Sequence, residues 1–155
     1  MTGVKIALAN REATMALGRR LAPLLQAGDV LVLNGDLGAG KTTFTKGLAA
    51  GLGIQQMIKS PTFTIIREYQ GGRLPLYHMD VYRLEAGGGQ DLGLEEYFDG
   101  DGISVVEWAQ FVADELPTEY LSLTFTRTAT ENERRLTVVP HGTRLTHVVE
   151  EWLHG

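Results

Sequence analysis

Between Val30 and Phe44 the chain reads VLVLNGDLGAGKTTF, in which Gly35, Gly40, Lys41 and Thr42 fill the spacing G-x-x-x-x-G-K-[ST] of a phosphate-binding P-loop. No other feature narrows the fold as far, because such a loop belongs between a buried strand and the first turn of a helix. Both flanks fit. Val30 to Leu33 is a continuous apolar run, as a buried parallel strand requires, and Phe44, Leu48 and Leu52 recur at helical spacing. The chemistry is anion capture: glycines let successive backbone N–H groups turn inward with no Cβ in the way, and the helix dipole favours negative charge. Lys41 is then expected to reach the β- and γ-phosphates, and the Thr42 hydroxyl to bind Mg²⁺.

At 155 residues, 43% hydrophobic and 21% charged, the chain is long enough for one domain with a sizeable core. The absence of cysteine excludes disulfides and thiolate chemistry and suits a reducing compartment. No apolar run approaches the length of a membrane span, and MTGVKIALANREAT lacks the apolar core of a signal peptide, so a cytoplasmic chain without a membrane role is expected. A net charge of −5 opposes an extended nucleic-acid footprint, though it leaves room for a local basic patch.

Strand and helix patterns alternate along the chain. A strand near Val4 to Ala7 leads to a helix from about Arg11 to Ala27, capped by Asn10 and ended by Gly28. After the P-loop unit, TFTIIREY and LPLYHMDVYRL read as a hairpin turned at Gln70 to Arg73. A short helix in DLGLEEYF, the apolar strand ISVVEW, an antiparallel pair in YLSLTFTR and ERRLTVVP, and a helix from Thr143 to Leu153 complete the pattern. The expected fold is α/β: a three-layer P-loop NTPase fold with a mixed, mostly parallel central sheet and antiparallel additions, spanning residues 1–155 as a single P-loop ATPase domain.

A P-loop needs a second acid for its metal, normally at the C-terminal end of a neighbouring apolar strand. Glu107, closing ISVVE just before Trp108, fits as the Walker B acid in place of the usual Asp; the plain reading is a solvated glutamate at a strand end. Asp80 is the rival. It ends LPLYHMD, and His78, Asp80 and Tyr82 alternate on one face of an extended chain, which is also the pattern of an edge strand with a polar face. His78 alone reads as a hydrogen-bonding structural group rather than an acid or base, and no cluster has zinc-ligand spacing.

Five segments in order, GDLGAGKTTF (Gly35 to Phe44), KSPTFT (Lys59 to Thr64), HMDVYRL (His78 to Leu84), GLEEYF (Gly93 to Phe98) and VVEW (Val105 to Trp108), make the chain resemble the TsaE (YjeE) family of bacterial P-loop ATPases over most of its length. The resemblance implies an ATPase that works with TsaB and TsaD in placing the threonylcarbamoyl modification on adenosine 37 of tRNAs reading ANN codons. It implies tRNA contact only through that complex, and no group transfer by this chain itself. ATP and Mg²⁺ are the implied cofactors. On the same resemblance Gly38, Ala39, Gly40, Lys41, Thr42 and Thr43 cradle the phosphates, and Thr42 and Glu107 hold Mg²⁺. Thr62, in SPTFT, senses the metal or the γ-phosphate; Asp80 lies near the metal and the attacking water, and Trp108 near the site. Arg11 and the late arginines Arg134 and Arg135 are candidates for base contacts, with exposed arginines on a solvated face an equal reading. The catalytic set is thus Lys41, Thr62, Asp80 and Glu107, and the glycine run Gly87 to Gly89 departs from the family pattern.

No arginine finger can be assigned inside the chain, so slow hydrolysis stimulated by partners is expected. A small-molecule P-loop kinase would need an acceptor pocket and usually an arginine-bearing lid, for which the Gly71-Gly72 turn is a poor candidate. A guanine-reading switch would carry [NT]-K-x-D, which does not occur here, while nucleotide-gated partner binding stays compatible with the main reading.

Overall fold

Asn10 opens the first helix as its sequence predicts: its Oδ1 accepts a hydrogen bond from the Ala13 N–H at 2.9 Å, and α1 runs Arg11–Leu21. The expectation that this helix reaches Ala27 is corrected. Pro23 has no N–H for the i→i−4 ladder, so the chain tightens into a single 3₁₀ turn at Ala22–Leu24 before Gly28 turns with φ 90°. These elements belong to a computed structural model that describes residues 3–35, 40–58, 66–82 and 93–154.

Seven strands form one sheet in the order β1-β7-β6-β2-β5-β4-β3, with β1 Val4–Leu8, β2 Val30–Asn34, β3 Ile66–Tyr69, β4 Leu76–Asp80, β5 Ile103–Glu107, β6 Tyr120–Arg127 and β7 Arg134–His141. Strands β6, β2, β5 and β4 run parallel to one another, while the pairs β1–β7, β7–β6 and β4–β3 are antiparallel. This is the expected parallel centre with antiparallel additions. The continuous apolar runs of β2 and β5 are explained by their central place, since a strand covered on both faces has no polar side.

Alternation along the strands divides the core. Leu31, Leu33, Ile103, Val105, Leu121 and Leu123 face a layer built by α1, α2 (Lys41–Leu52) and α4 (Thr143–His154). Val30, Val32, Met79 and Val106 face the other way, toward the short α3 (Leu94–Phe98) and a 3₁₀ segment at Ala109–Glu115. Helices α1 and α2 approach so closely that a Cβ on Gly47 would stand 2.0 Å from the Met15 carbonyl oxygen, and one on Gly18 2.5 Å from that of Phe44.

The β3–β4 turn is pinned to the far end of these helices. The Arg73 N–H donates to the Leu52 carbonyl at 2.6 Å, and its guanidinium donates to the carbonyls of Ala22 and Leu25, each at 2.8 Å. A turn anchored at the C-terminal end of α2 does not serve as a lid over the helix's N-terminus.

Candidate functional site

The site forms where the parallel strands end. In the register of the sheet Leu33 of β2 lies beside Glu107 of β5, and Glu107 beside Asp80 of β4. All three sit at the C-terminal edge, where open α/β sheets bind ligands. Because Leu76 and Ile103 face the α1/α2 layer, side-chain alternation directs His78, Asp80 and Glu107 to the same face.

Lys41 enters this corner from the helix side. It is the first residue of α2, preceded by Gly40 with φ 118°, and the Phe44 N–H closes the first turn on the Gly40 carbonyl at 2.9 Å. The left-handed Gly40 turns the chain where a Cβ would be strained. Although lysines are seldom buried, Lys41 is only 7% exposed, with its Nζ 3.4 Å from Glu107 Oε1 and 5.2 Å above the Trp108 ring.

Glu107 is itself buried, and its second oxygen is also taken: His78 Nε2 donates to Oε2 at 2.6 Å from a side chain with no exposed surface. Burial pushes the Glu107 carboxyl up, but the hydrogen bond and charge of His78, followed by those of Lys41, hold it below the usual value. The site therefore keeps an ionised carboxylate inside the protein. Asp80 is half-buried, and its Oδ1 accepts from the Tyr82 N–H at 3.0 Å, which fixes the chain just past β4.

Trp108 has φ 64°, the one left-handed residue other than glycine among those described, and it turns the chain from β5 into the Ala109–Glu115 segment. Its ring meets Tyr82 edge-on at 4.9 Å and stacks on Phe111 at 6.2 Å. A pocket of about 160 Å³ opens between Leu33, Asn34, Gly35, Lys41, Trp108 and Gln110.

Thr42 and Thr43 lie half-buried in the first turn of α2. Arg11 is exposed at the start of α1, and Arg135 is exposed on β7 opposite Ala7 of β1 and Thr126 of β6. Strand directions carry both arginines to the same edge of the sheet as Lys41, with β6 standing between β7 and β2. Arg134 is tied to its own turn, donating to the carbonyls of Glu131 and Glu133 at 2.7 and 2.8 Å. Gly38, Ala39, Thr62 and the run Gly87 to Gly89 lie outside the described residues.

Among the described residues no group of three or more His, Cys, Asp or Glu is arranged to hold a metal ion. Mg²⁺ does not require one, since it keeps several waters and takes one or two carboxylates together with phosphate oxygens. The Thr42 hydroxyl and the carboxylates of Glu107 and Asp80 are hard oxygen donors of that kind. Glu107 already faces a cation, the Lys41 ammonium, so its surroundings accept positive charge and the residues fit the metal.

Two features escaped the sequence reading. The His78–Glu107 hydrogen bond joins residues on neighbouring strands, and the Tyr82–Trp108–Phe111 cluster joins two loops; the alternation of His78, Asp80 and Tyr82 was the only local signal for either.

A family model described as Threonylcarbamoyl adenosine biosynthesis protein TsaE matches residues 8–136. A protein of Bacillus subtilis (strain 168) named tRNA threonylcarbamoyladenosine biosynthesis protein TsaE is 51% identical over 151 residues, covering 97% of this chain and 94% of that relative. A Nostoc relative of the same name is 42% identical over 149 residues, covering 94% and 91%. Among solved structures, the crystal structure of Bacillus subtilis YdiB superposes with a TM-score of 0.86 at 47% identity, covering 98% of this chain and 95% of that one.

Proposed function

The chain belongs to the TsaE family, and on that premise we propose that it is the ATP-binding and ATP-hydrolysing subunit needed for threonylcarbamoyl modification of tRNA adenosine 37. It acts in the cytoplasm with TsaB and TsaD, meets tRNA through their complex, and transfers no group itself. The observation that carries this reading is the buried Lys41 ammonium at the head of α2, facing Glu107 across the ends of parallel strands. A buried cation at a helix N-terminus is a site prepared for an anion.

In this reading Lys41 exchanges its Glu107 partner for the β- and γ-phosphates, while Gly38 to Thr43 offer backbone N–H groups to the same oxygens. Thr42 and Glu107 would hold Mg²⁺, which when bound neutralises charge on the phosphate oxygens. Thr62 senses the metal or the γ-phosphate. Asp80, beside Glu107 in the register, orients the water that attacks the γ-phosphorus. Trp108 closes one side of the site, and Arg11 and Arg135 reach toward the base. With no arginine finger assigned in the chain, turnover is slow until partners complete the site.

Calorimetric titration with ATP and Mg²⁺ tests this directly. Lys41→Ala should bind about ten- to a hundredfold more weakly than the wild type, the worth of a charge-assisted contact. Equal affinity in the two proteins would sink the assignment.

A further inference from the structure

We propose that His78 is a positioning residue that holds the Glu107 carboxylate in place for Mg²⁺ once Lys41 has left it for the nucleotide, an inference that rests on the Mg²⁺-ATP reading above. Among the described residues each Glu107 oxygen has one side-chain partner, Lys41 on Oε1 at 3.4 Å and His78 on Oε2 at 2.6 Å. The two partners differ in mobility. Lys41 reaches Glu107 along a flexible four-carbon stem, whereas His78 sits inside β4, two residues before Asp80, the register partner of Glu107 on the adjacent parallel strand. When Lys41 turns to phosphate, His78 is the restraint that remains among the described residues.

The imidazole bears a cost that packing alone does not explain. Its Nδ1 is buried without a hydrogen-bond partner among the described residues, where an aliphatic side chain would fill the same space with nothing left unsatisfied. An ionised carboxylate only accepts hydrogen bonds, so Nε2 carries the hydrogen that points at Oε2. That contact leaves Oε1 as the oxygen directed toward Lys41 and the head of α2. Side chains that orient a ligating group in this way are commonly worth ten- to a hundredfold in metal affinity.

The test is calorimetric ATP binding to the full chain, with Mg²⁺ and with EDTA, for wild type, His78→Leu and His78→Gln. Wild type should bind ATP more tightly with Mg²⁺. In His78→Leu that enhancement should shrink about tenfold or more, while affinity in EDTA stays within about twofold. His78→Gln places an amide donor at similar reach and should restore the enhancement to within about threefold of wild type. In a Glu107→Gln background, His78→Leu should cause no further loss, because the group it positions is gone. If His78→Leu does not fold, His78→Asn takes its place; its shorter amide should lose the enhancement that His78→Gln keeps. A Mg²⁺ enhancement retained in full by His78→Leu, or an equal loss with and without metal, overturns the proposal. A wild type that shows no Mg²⁺ enhancement at all overturns the Mg²⁺-ATP reading itself.

Discussion

Glu107 concentrates the electrostatics of the site, because a buried carboxylate, a buried ammonium and a buried imidazole meet there. Breaking such an arrangement strands a charge: Glu107→Gln leaves Lys41 buried without its anion and should cost about 3 kcal/mol at neutral pH. The sign of the pH dependence follows from the lowered Glu107 pKa. Its contribution is fully present above the unfolded value of about 4.3 and is lost as pH falls through the lower folded value. Urea midpoints for wild type and Glu107→Gln should therefore lie well apart at pH 7 and converge in strong acid. A gap independent of pH would contradict this. Glu107 was legible in the sequence, since ISVVE places a carboxylate at the end of an apolar strand. The role of His78 was not, because it depends on β4 and β5 lying side by side, which no local pattern dictates. Nor was the left-handed Trp108, at a φ for which sequence reasoning expects glycine.

Helix α2 carries Lys41, and what holds α2 in place is its crossing with α1. Gly47 and Gly51 stand one helical turn apart on α2, and a Cβ on them would meet the carbonyl oxygens of Met15 and Arg19 at 2.0 and 2.5 Å. Neither contact can be relieved by a rotamer change, because the atoms in the way are backbone. Gly47→Ala would gain up to about 1 kcal/mol in helix propensity and lose about 1–3 kcal/mol to overpacking. A fall of several degrees in thermal midpoint is expected, whereas a rise would show that the helices can separate freely. Read from sequence, TKGLAAGLG shows a helix weakened by glycines; only its neighbour shows why they are there. The closing helix and the strand pair before it were legible from periodicity, and their boundaries hold to within a residue or two. The Ala109–Glu115 segment was missed for a physical reason: it is 3₁₀, and Val112 inside it leaves helical geometry with φ −131°.

For the whole molecule, sheet order decides which loops share an edge. The parallel centre could be read from the apolar runs of β2 and β5, but the pairing of β1 with β7, which links the two ends of the chain, joins segments with no local relation. That pairing brings Arg11 and Arg135 to the same edge of the sheet as Lys41 and Glu107, the edge at which the proposed nucleotide site lies. In the function proposed above, a site with no arginine finger assigned within the chain would be completed by other proteins. The most direct measurement is steady-state phosphate release from ATP, with and without TsaB and TsaD, for wild type and Asp80→Asn, beside ATP binding for each. Turnover of the wild type should be slow alone and rise well above that level with both partners. Asp80→Asn should bind ATP as wild type does and lose the stimulated rate, because it alters the water's partner and leaves the phosphate cradle intact. Wild-type turnover unchanged by the partners, or full stimulated turnover in Asp80→Asn, would contradict the account.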